Sequence, residues 1–336
     1  MNTKRIRVAL LGAGRIGQEH ARTLIGSPQV SLVTVCDARL EAAQQIVAKA
    51  PGATAISDTA EVFSSKEIDA VVICTPTGSH ADLIEAGARA GKAVFCEKPV
   101  ALDLERTKKA LKLVNETGIP FQIGFQRRFD TGYAEARKKI DGNLIGRIDQ
   151  FRSVGRDPAP PPREYLETSG GLFLDQMIHE IDLARFLVGD VESVCAWGAA
   201  RFSKDAADFG DVDTATTLLR FKNGALGVIE NSRRAVYGYD IVTEVFGEHG
   251  KLVVHAERKS PLRHYREGGS EEDHFYFFMD RFKDAFQAEL ESFFACVQEG
   301  RPPAPGAVDA AEALRIGIAA TRSFKEGRVV HLEEIQ

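Results

Sequence analysis

The sequence predicts an α/β protein with a doubly wound parallel sheet at its N-terminus, followed by an α+β domain with a large open, mostly antiparallel sheet. Short β-rich apolar runs alternate with longer amphipathic stretches up to about residue 125, as in βαβ units. Beyond that point, strands follow one another through turns. A chain of 336 residues is long enough for two domains. We therefore expect an N-terminal domain at 1–125 and a C-terminal domain at 126–336.

The N-terminal elements follow from the apolar runs and the periodic stretches between them. Strands are expected at residues 5–11, 31–36, 70–74, 93–96 and 121–124. Helices between them include residues 81–90 and 104–116. This order of strand, helix and strand is typical of a parallel sheet.

The C-terminal elements are anchored by a hairpin signal at Asn223-Gly224, which separates β-rich runs at 214–221 and 225–231. Further strands are expected at residues 192–201, 241–246 and 251–255. One long helix is expected at 171–188, and two more at 280–299 and 306–326. Strands joined by turns favour an open antiparallel sheet.

Composition and charge exclude several classes of protein. The net charge of -5, with both signs interspersed, provides no broad basic surface for nucleic acid. The first apolar run stops at Gly12 after four residues, and no segment is long enough for a membrane span, so we expect a cytoplasmic protein. Five widely spaced cysteines without a C-x-x-C predict reduced thiols.

A glycine motif follows the first predicted strand and begins the first helix. It consists of Gly12, Ala13, Gly14, Arg15, Ile16 and Gly17. Gly12 permits a tight turn, Gly14 lets the backbone approach a pyrophosphate, and Gly17 allows close packing of helix and strand, which is the Rossmann fingerprint. Asp37 ends the second strand, where a carboxylate can accept hydrogen bonds from a ribose 2′-hydroxyl and would repel a 2′-phosphate. The motif therefore predicts NAD as cofactor, with NADP less favoured although Arg39 lies nearby.

Two further segments follow strands of the same predicted sheet. Thr75, Pro76 and His80 come after the strand at 70–74 and are candidate cofactor contacts, although His80 is equally consistent with a helix start that binds nothing. Glu97 and Lys98 follow the strand at 93–96, at the same edge, and are candidate cofactor contacts as well. Proline after Lys98 restricts its backbone and raises the chance of a cis peptide. On the pattern alone, a surface lysine is the better interpretation of Lys98.

An acid and a histidine share a helical stripe in the second domain. Asp175 and His179 are four residues apart after the pair Gly170-Gly171. An ordinary ion pair is the better interpretation from spacing alone. The alternative is a catalytic dyad in which Asp175 orients His179 as a general base for alcohol oxidation. We expect no metal, because there is neither an H-E-x-x-H motif nor a cysteine cluster.

The chain resembles the glucose-fructose oxidoreductase/inositol dehydrogenase (Gfo/Idh/MocA) family along essentially its whole length. The resemblance is carried by GAGRIG with Asp37, CTPTGSH, FCEKP at 95–99, GFQRRFD at 124–130, RDPAPPP at 156–162, SGGLFLDQMIHEID at 169–182, NSRRAVYGYD at 231–240 and FFMDRF at 277–282. The EKP and D-x-x-x-H signatures are family-wide, whereas the GFQRRFD, RDPAPPP and YGYD segments are similar to the inositol branch.

The resemblance implies NAD-dependent oxidation of a ring hydroxyl of a cyclic polyol, with myo-inositol oxidised at C2 as the leading expectation. It implies that Lys98, Asp175 and His179 are catalytic: His179 accepts the hydroxyl proton, Asp175 supports it and Lys98 polarises the substrate oxygen. It also implies substrate contacts, which are Arg127, Asp157, Tyr237 and Tyr239, together with the catalytic three. A homotetramer formed through the C-terminal sheet is expected as well.

Other functions stay open at this point. Another inositol isomer or an aldose is an alternative substrate, because Gln126 and the residues flanking Asp175 depart from the inositol pattern. A non-catalytic NAD-binding regulator is a second class, since fold alone does not fix function. An enzyme that uses NAD without net redox change is a third. Release of NADH with substrate distinguishes the dehydrogenase from both.

Overall fold

The computed structural model describes residues 5–336 and divides into two compact units. The first unit comprises the chain up to Phe129 together with Asp284–Glu312, and the second comprises Asp130–Lys283 together with Ala313–Gln336. The division at residue 125 stays a prediction. Unlike the predicted domains, the first compact unit is not continuous in sequence, because it includes residues 284–312. Within residues 5–336, no helix has both the length and the apolar character needed to cross a membrane.

The first unit is built on a six-stranded parallel sheet in the order β3-β2-β1-β4-β5-β6. Its strands are β1 Ile6–Leu11, β2 Val30–Cys36, β3 Thr54–Ile56, β4 Ala70–Ile73, β5 Ala93–Glu97 and β6 Phe121–Gly124. Its first helices are α1 Arg15–Gly26, α2 Leu40–Val47, α3 Thr59–Ser64, α4 His80–Arg89 and α5 Leu104–Thr117. The strand order reverses between β1 and β4, which is where doubly wound sheets bind ligands. The Rossmann prediction is confirmed.

The central strands of this sheet are buried on both faces. Every residue of β4 is buried, and so are the last four residues of β1. Covered on both sides, such strands consist of nearly continuous apolar residues, and this is why the sequence identified them.

The second unit contains a seven-stranded mixed sheet in the order β12-β11-β7-β10-β9-β8-β15. Its strands are β7 Ile148–Arg156, β8 Val191–Ala199, β9 Thr214–Phe221, β10 Leu226–Ser232, β11 Asp240–Gly247, β12 Gly250–Val254 and β15 Val330–His331, and a separate hairpin is formed by β13 Arg258–Arg266 and β14 Gly269–His274. All neighbours in the large sheet are antiparallel except β10 and β7. The predicted open, mostly antiparallel sheet is confirmed, including the hairpin turn at Gly224, whose φ is +91°.

The remaining helices lie in the C-terminal two thirds of the chain. They are α6 Thr131–Asp141, α7 Arg163–Thr168, α8 Leu172–Asp175, α9 Ile178–Leu187, α10 Lys204–Asp208, α11 Phe278–Arg281, α12 Lys283–Glu299 and α13 Ala307–Glu326. α12 lies almost entirely in the first unit, where its Leu290, Phe293 and Phe294 join the core beneath β1, β4 and β5.

The predicted continuous helix at 171–188 is wrong. The structure has α8 and α9 with a turn at Gln176 and Met177 between them. The Met177 amide donates to the carbonyl five residues back, on Leu172, so the regular ladder is interrupted. The Gln176 side-chain amide donates to the carbonyls of Gly155 and Ser232 at 3.2 and 3.1 Å, which fixes the turn.

The predicted helix at 280–299 is also two helices, α11 and α12, separated by Phe282. This residue is buried and packs edge-on against Tyr239, with ring centroids 6.2 Å apart. Packing of Phe282 therefore outweighs continuation of the helix.

The sheet of the second unit has one covered and one open face. Along β9, buried and exposed residues alternate. The open face carries four large apolar side chains that are between 43 and 57% exposed: Trp197, Leu218, Leu226 and Phe246. We call these residues the open apolar face. A patch of this kind usually marks an interaction surface.

Candidate active site

The glycine loop of the first unit has the geometry that a dinucleotide requires. Gly12 has φ of +96°, and an added Cβ would lie 2.6 Å from the carbonyl group of Cys74. An added Cβ on Gly17 would lie 2.0 Å from the Gly12 carbonyl oxygen. Only glycine fits at these two positions, because any side chain would displace the loop or the helix.

Gly14 is open by contrast. It is the N-cap of α1, and it has no side chain that could bond to the helix N–H groups. An added Cβ would meet nothing within 4 Å. Free backbone N–H groups at a helix N-terminus favour an anion. The space above Gly14 and the exposed helix end therefore fit the pyrophosphate of a dinucleotide.

Asp37 is tied to this loop. Its Oδ2 accepts a hydrogen bond from the Ala13 amide at 2.7 Å, and its Oδ1 accepts from the Arg39 amide at 2.9 Å. The carboxylate is thus held beside the loop at the end of β2. The Arg39 side chain is 77% exposed, with its Nε 4.0 Å from Asp37 Oδ1. A fixed carboxylate and a loosely placed arginine are consistent with the preference for NAD.

The loops after β4 and β5 are joined by His80. Its Nδ1 lies 2.8 Å from the Pro99 carbonyl oxygen, and its Nε2 lies 2.7 Å from the Thr75 carbonyl oxygen. Burial lowers the pKa of His80, so the ring is neutral at pH 7 and donates to one of the two oxygens. His80 therefore has a structural role, and its contact with the cofactor stays a prediction, as do those of Thr75 and Pro76.

Lys98 follows β5 directly and is half-buried. The peptide bond between Lys98 and Pro99 is cis, as the sequence suggested. Before it, Glu97 directs its Oε1 to His20 Nε2 at 2.6 Å. Glu97 is thus engaged within the unit, and its assignment to the cofactor stays a prediction.

One group of three side chains among residues 5–336 has donor atoms close enough together for a metal ion. It consists of His20, Glu97 and Glu289, whose atoms lie within 4.8 Å of one another. The 2.6 Å separation of His20 and Glu97 is that of a direct hydrogen bond. We therefore assign the group to hydrogen bonding.

Asp175 lies in the second unit, at the end of α8. Its Oδ1 accepts a hydrogen bond from the Tyr165 hydroxyl at 2.7 Å. Its Oδ2 lies 3.3 and 3.4 Å from the two terminal nitrogens of Arg233, a guanidinium whose side chain is 1% exposed. Tyr165 and Arg233 therefore orient the carboxylate, and its catalytic role stays a prediction.

His179 lies one residue into α9 and is partly exposed. Its amide donates to the Gln176 carbonyl, at the turn between α8 and α9. The turn means that the four-residue spacing from Asp175 is not that of one continuous helix. Both residues are nonetheless in the second unit, whereas Lys98 is in the first.

The predicted substrate residues occupy different environments. Arg127 is buried in a short 3₁₀ helix of the first unit. In the second unit, Asp157 follows β7 and is partly exposed. Tyr237 is 51% exposed and Tyr239 only 5%, and both precede β11, which begins at Asp240.

A charged cluster around Tyr237 was missed from sequence. The Tyr237 hydroxyl donates to Asp240 at 2.7 Å, and Arg156 donates to the same carboxylate at 2.8 Å. Burial and the adjacent Asp240 carboxylate raise the pKa of Tyr237, so it stays a neutral phenol. The YGYD segment is recognisable in the sequence, but nothing there indicates that its Asp240 pairs with Arg156, 84 residues away.

The strand order, the glycine loop and the fixed carboxylate of Asp37 define a dinucleotide-binding protein with a second, mixed-sheet unit. Its sequence matches a family model described as an oxidoreductase family with an NAD-binding Rossmann fold over residues 6–125, and the C-terminal α/β domain of the same family over residues 137–332. The chain belongs to the Gfo/Idh/MocA oxidoreductase family, and its first unit binds NAD.

Similar proteins match the chain almost from end to end. An inositol 2-dehydrogenase from Rhizobium meliloti is 42% identical, covering 97% of this chain and 99% of that protein. A scyllo-inositol 2-dehydrogenase (NAD(+)) from Bacillus subtilis is 40% identical, covering 98% and 96%. The crystal structure of scyllo-inositol dehydrogenase from Lactobacillus casei with NAD(H) and scyllo-inositol is 28% identical, with a TM-score of 0.93 and coverage of 98% and 100%.

Proposed function

We propose that this chain is an NAD-dependent dehydrogenase that oxidises a ring secondary hydroxyl of a cyclic polyol, with myo-inositol oxidised at C2 to 2-keto-myo-inositol as the preferred reaction. The observation that carries the proposal is the similarity, over at least 97% of the chain, to proteins named as inositol 2-dehydrogenases. A relationship of that extent includes the substrate-binding unit as well as the cofactor domain.

The proposed chemistry assigns one role to each catalytic residue. His179 takes the proton of the reacting hydroxyl, because hydride leaves the ring carbon readily only as that proton is removed. Asp175, oriented by Tyr165 and Arg233, stabilises the resulting imidazolium. Lys98 stabilises the developing negative charge on the substrate oxygen. NAD, when bound, supplies the acceptor for the hydride.

A ring that bears many hydroxyls needs several directional donors and acceptors. We assign recognition of the hydroxyls, or the shaping of the site around them, to Arg127, Asp157, Tyr237 and Tyr239. The cluster of Tyr237, Arg156 and Asp240 supports part of it, since it presents a neutral phenol beside a paired carboxylate. Tyr239 is buried against Phe282 and is expected to shape the site rather than to bind a hydroxyl.

A substrate panel tests the proposal. Purified protein with NAD is assayed for NADH formation with myo-, scyllo- and chiro-inositol, glucose, galactose and xylose, and the series is repeated with NADP. The expected result is NADH formation that is fastest with an inositol. No NADH with any of the six compounds would overturn the proposal, and faster turnover of an aldose would overturn the choice of substrate.

Two variants test the assigned roles. Lys98→Met and His179→Asn should each lower kcat by at least about 100-fold, a typical contribution of a positioned acid or base, while the Kd for NAD stays within a few-fold. Lys112→Met is the matched control, since Lys112 is an exposed lysine on α5 that lies 3.7 Å from Glu116. Retention of turnover in the His179 variant would exclude it as the base.

We also propose that the protein forms a homotetramer through the sheet of its second unit. The open apolar face supports this, because four large apolar side chains on one sheet surface gain stability when a second copy covers them. Trp197, the only tryptophan of the chain, lies on that face. Light scattering should give four times the chain mass, and Trp197→Glu with Leu226→Glu should lower it. An unchanged mass in the double variant would exclude this face as an interface.

A further inference from the structure

A buried polar cluster lies in the first unit, beside the residue that precedes Lys98. It joins His20 of α1, Glu97 at the end of β5 and Glu289 of α12. His20 and Glu289 are completely buried, and the Glu97 side chain is 12% exposed. His20 Nε2 and Glu97 Oε1 are 2.6 Å apart, and a Glu289 carboxyl oxygen lies within 4.8 Å of a ring nitrogen of His20 and of a carboxyl oxygen of Glu97.

Two carboxyl groups this close repel each other when both are charged, and this favours the neutral form of the more deeply buried one. Glu97 has the hydrogen bond to His20 and some solvent exposure. Glu289 has neither, and both of its carboxyl oxygens lack a hydrogen-bond partner among residues 5–336. Burial, and then the Glu97 charge, raise the pKa of Glu289 well above its ordinary value.

The other titratable groups around the cluster do not reverse this assignment. The thiols of Cys74 and Cys96, on β4 and β5, lie close enough to interact with the two carboxyls, and burial raises the pKa of both well above the ordinary value, so they are neutral. Phe95 and Phe286 pack edge-on against the His20 ring at 5.3 and 5.7 Å. In such a dry environment, hydrogen bonds within the cluster are strong.

We propose that Glu289 carries a proton in the folded protein and presents this neutral, polar carboxyl group to Glu97, so that Glu97 is held between His20 and Glu289 and positions the adjacent Lys98. Glu289 is thus a positioning residue, and this part of the inference rests on the proposed role of Lys98. The cluster connects α1, which begins at the glycine loop, with the end of β5. The backbone carbonyl of Glu289 also accepts a hydrogen bond from the Gln122 side chain of β6 at 3.1 Å, which fixes the backbone of Glu289.

The test compares Glu289→Gln, which keeps a neutral polar group of the same shape, with Glu289→Leu, which has no polar group. Glu291→Gln, a carboxyl-to-amide change two residues away on α12, is the matched control. In the Leu variant, kcat should fall by about 10- to 100-fold, as expected for a misplaced catalytic group, with the KM for NAD changed by less than about threefold. The Gln variant should recover most of the kcat, and the control should match wild type. Wild-type kcat in a folded Leu variant would overturn the positioning role.

Two readouts do not depend on turnover, so they separate this inference from the proposed function. Infrared spectra at pH 7 should show a protonated carboxyl band in wild type that disappears in Glu289→Gln and persists in Glu291→Gln. The stability advantage of wild type over Glu289→Gln should decrease as pH rises above the ordinary range of glutamate, because the folded state holds a proton that the unfolded state releases. An absent band, or a pH-independent difference in stability, would overturn the protonation of Glu289.

Discussion

Replacing Gly14 with serine should separate cofactor binding from stability. Gly14 has φ of -69° and ψ of -168°, a backbone conformation open to any residue, and an added Cβ meets nothing within 4 Å. Serine is a good N-cap, and it should raise the free energy of unfolding by about 0.3 kcal/mol relative to glycine. The protein without cofactor should therefore be as stable as wild type, or slightly more stable.

The affinity for NAD should fall in the same variant. The serine side chain enters the space above the helix N-terminus that the pyrophosphate requires. Placing extra atoms in a closely fitted contact costs about 1–3 kcal/mol, which corresponds to a rise in Kd of about 5- to 150-fold. Calorimetric titration with NAD measures the Kd, and urea unfolding measures the stability.

Two other glycines of α1 provide the comparison. Gly26→Ser, at an equally open position at the other end of the helix, should leave both quantities nearly unchanged. Gly17→Ala should lower both the stability and the affinity for NAD. The added Cβ would lie 2.0 Å from the Gly12 carbonyl oxygen, whereas ordinary contact begins at 3.4 Å. Wild-type affinity for NAD in Gly14→Ser would refute the placement of the pyrophosphate on this loop.

Three further substitutions test other parts of the structure. Arg233→Met removes the buried guanidinium that pairs with Asp175 and should lower the free energy of unfolding by about 3–5 kcal/mol; unchanged urea unfolding would show that the pair contributes nothing. His80→Leu removes the donor of one carbonyl in the loops after β4 and β5 and should cost about 1–3 kcal/mol, with a thermal scan that matches wild type as the contrary result. Burial opposes ionisation of Asp213, but three backbone amides outweigh it and lower its pKa. The carboxylate therefore stabilises the fold above its unfolded pKa and loses this effect as pH falls below about 4. Asp213→Asn should be less stable at pH 7 and less sensitive to acid, and parallel stability curves would contradict this.

The parallel sheet was predictable from sequence to within one residue at most strand ends. Its strands are buried on both faces, so they appear as short apolar runs bounded by Gly12, Asp37 and similar residues. β7 was missed, because its buried residues include Ser153 and Gly155, so the apolar half of the alternating pattern is incomplete. β3, with three residues, is too short for any periodic pattern.

The parts of the candidate site that could be predicted from sequence are those formed by residues adjacent in the chain. The glycine loop is such a case. The turn at Gln176 depends on carbonyls 21 and 56 residues away, and the orientation of Asp175 depends on an arginine 58 residues away. Local propensity contains no information about partners at these distances, so the long helix was the natural expectation.

The return of α12 to the first unit has a consequence for biosynthesis. The core of that unit includes Leu290, Phe293 and Phe294, which pack with residues such as Val8 and Phe95. During translation, nearly 300 residues must therefore be synthesised before the last apolar surface of this sheet can be covered. A fragment that ends near residue 125 would keep that surface exposed to water and is expected to aggregate. The cofactor domain is thus a continuous pattern in the sequence but a discontinuous folding unit, completed only after the residues of α12 have been synthesised.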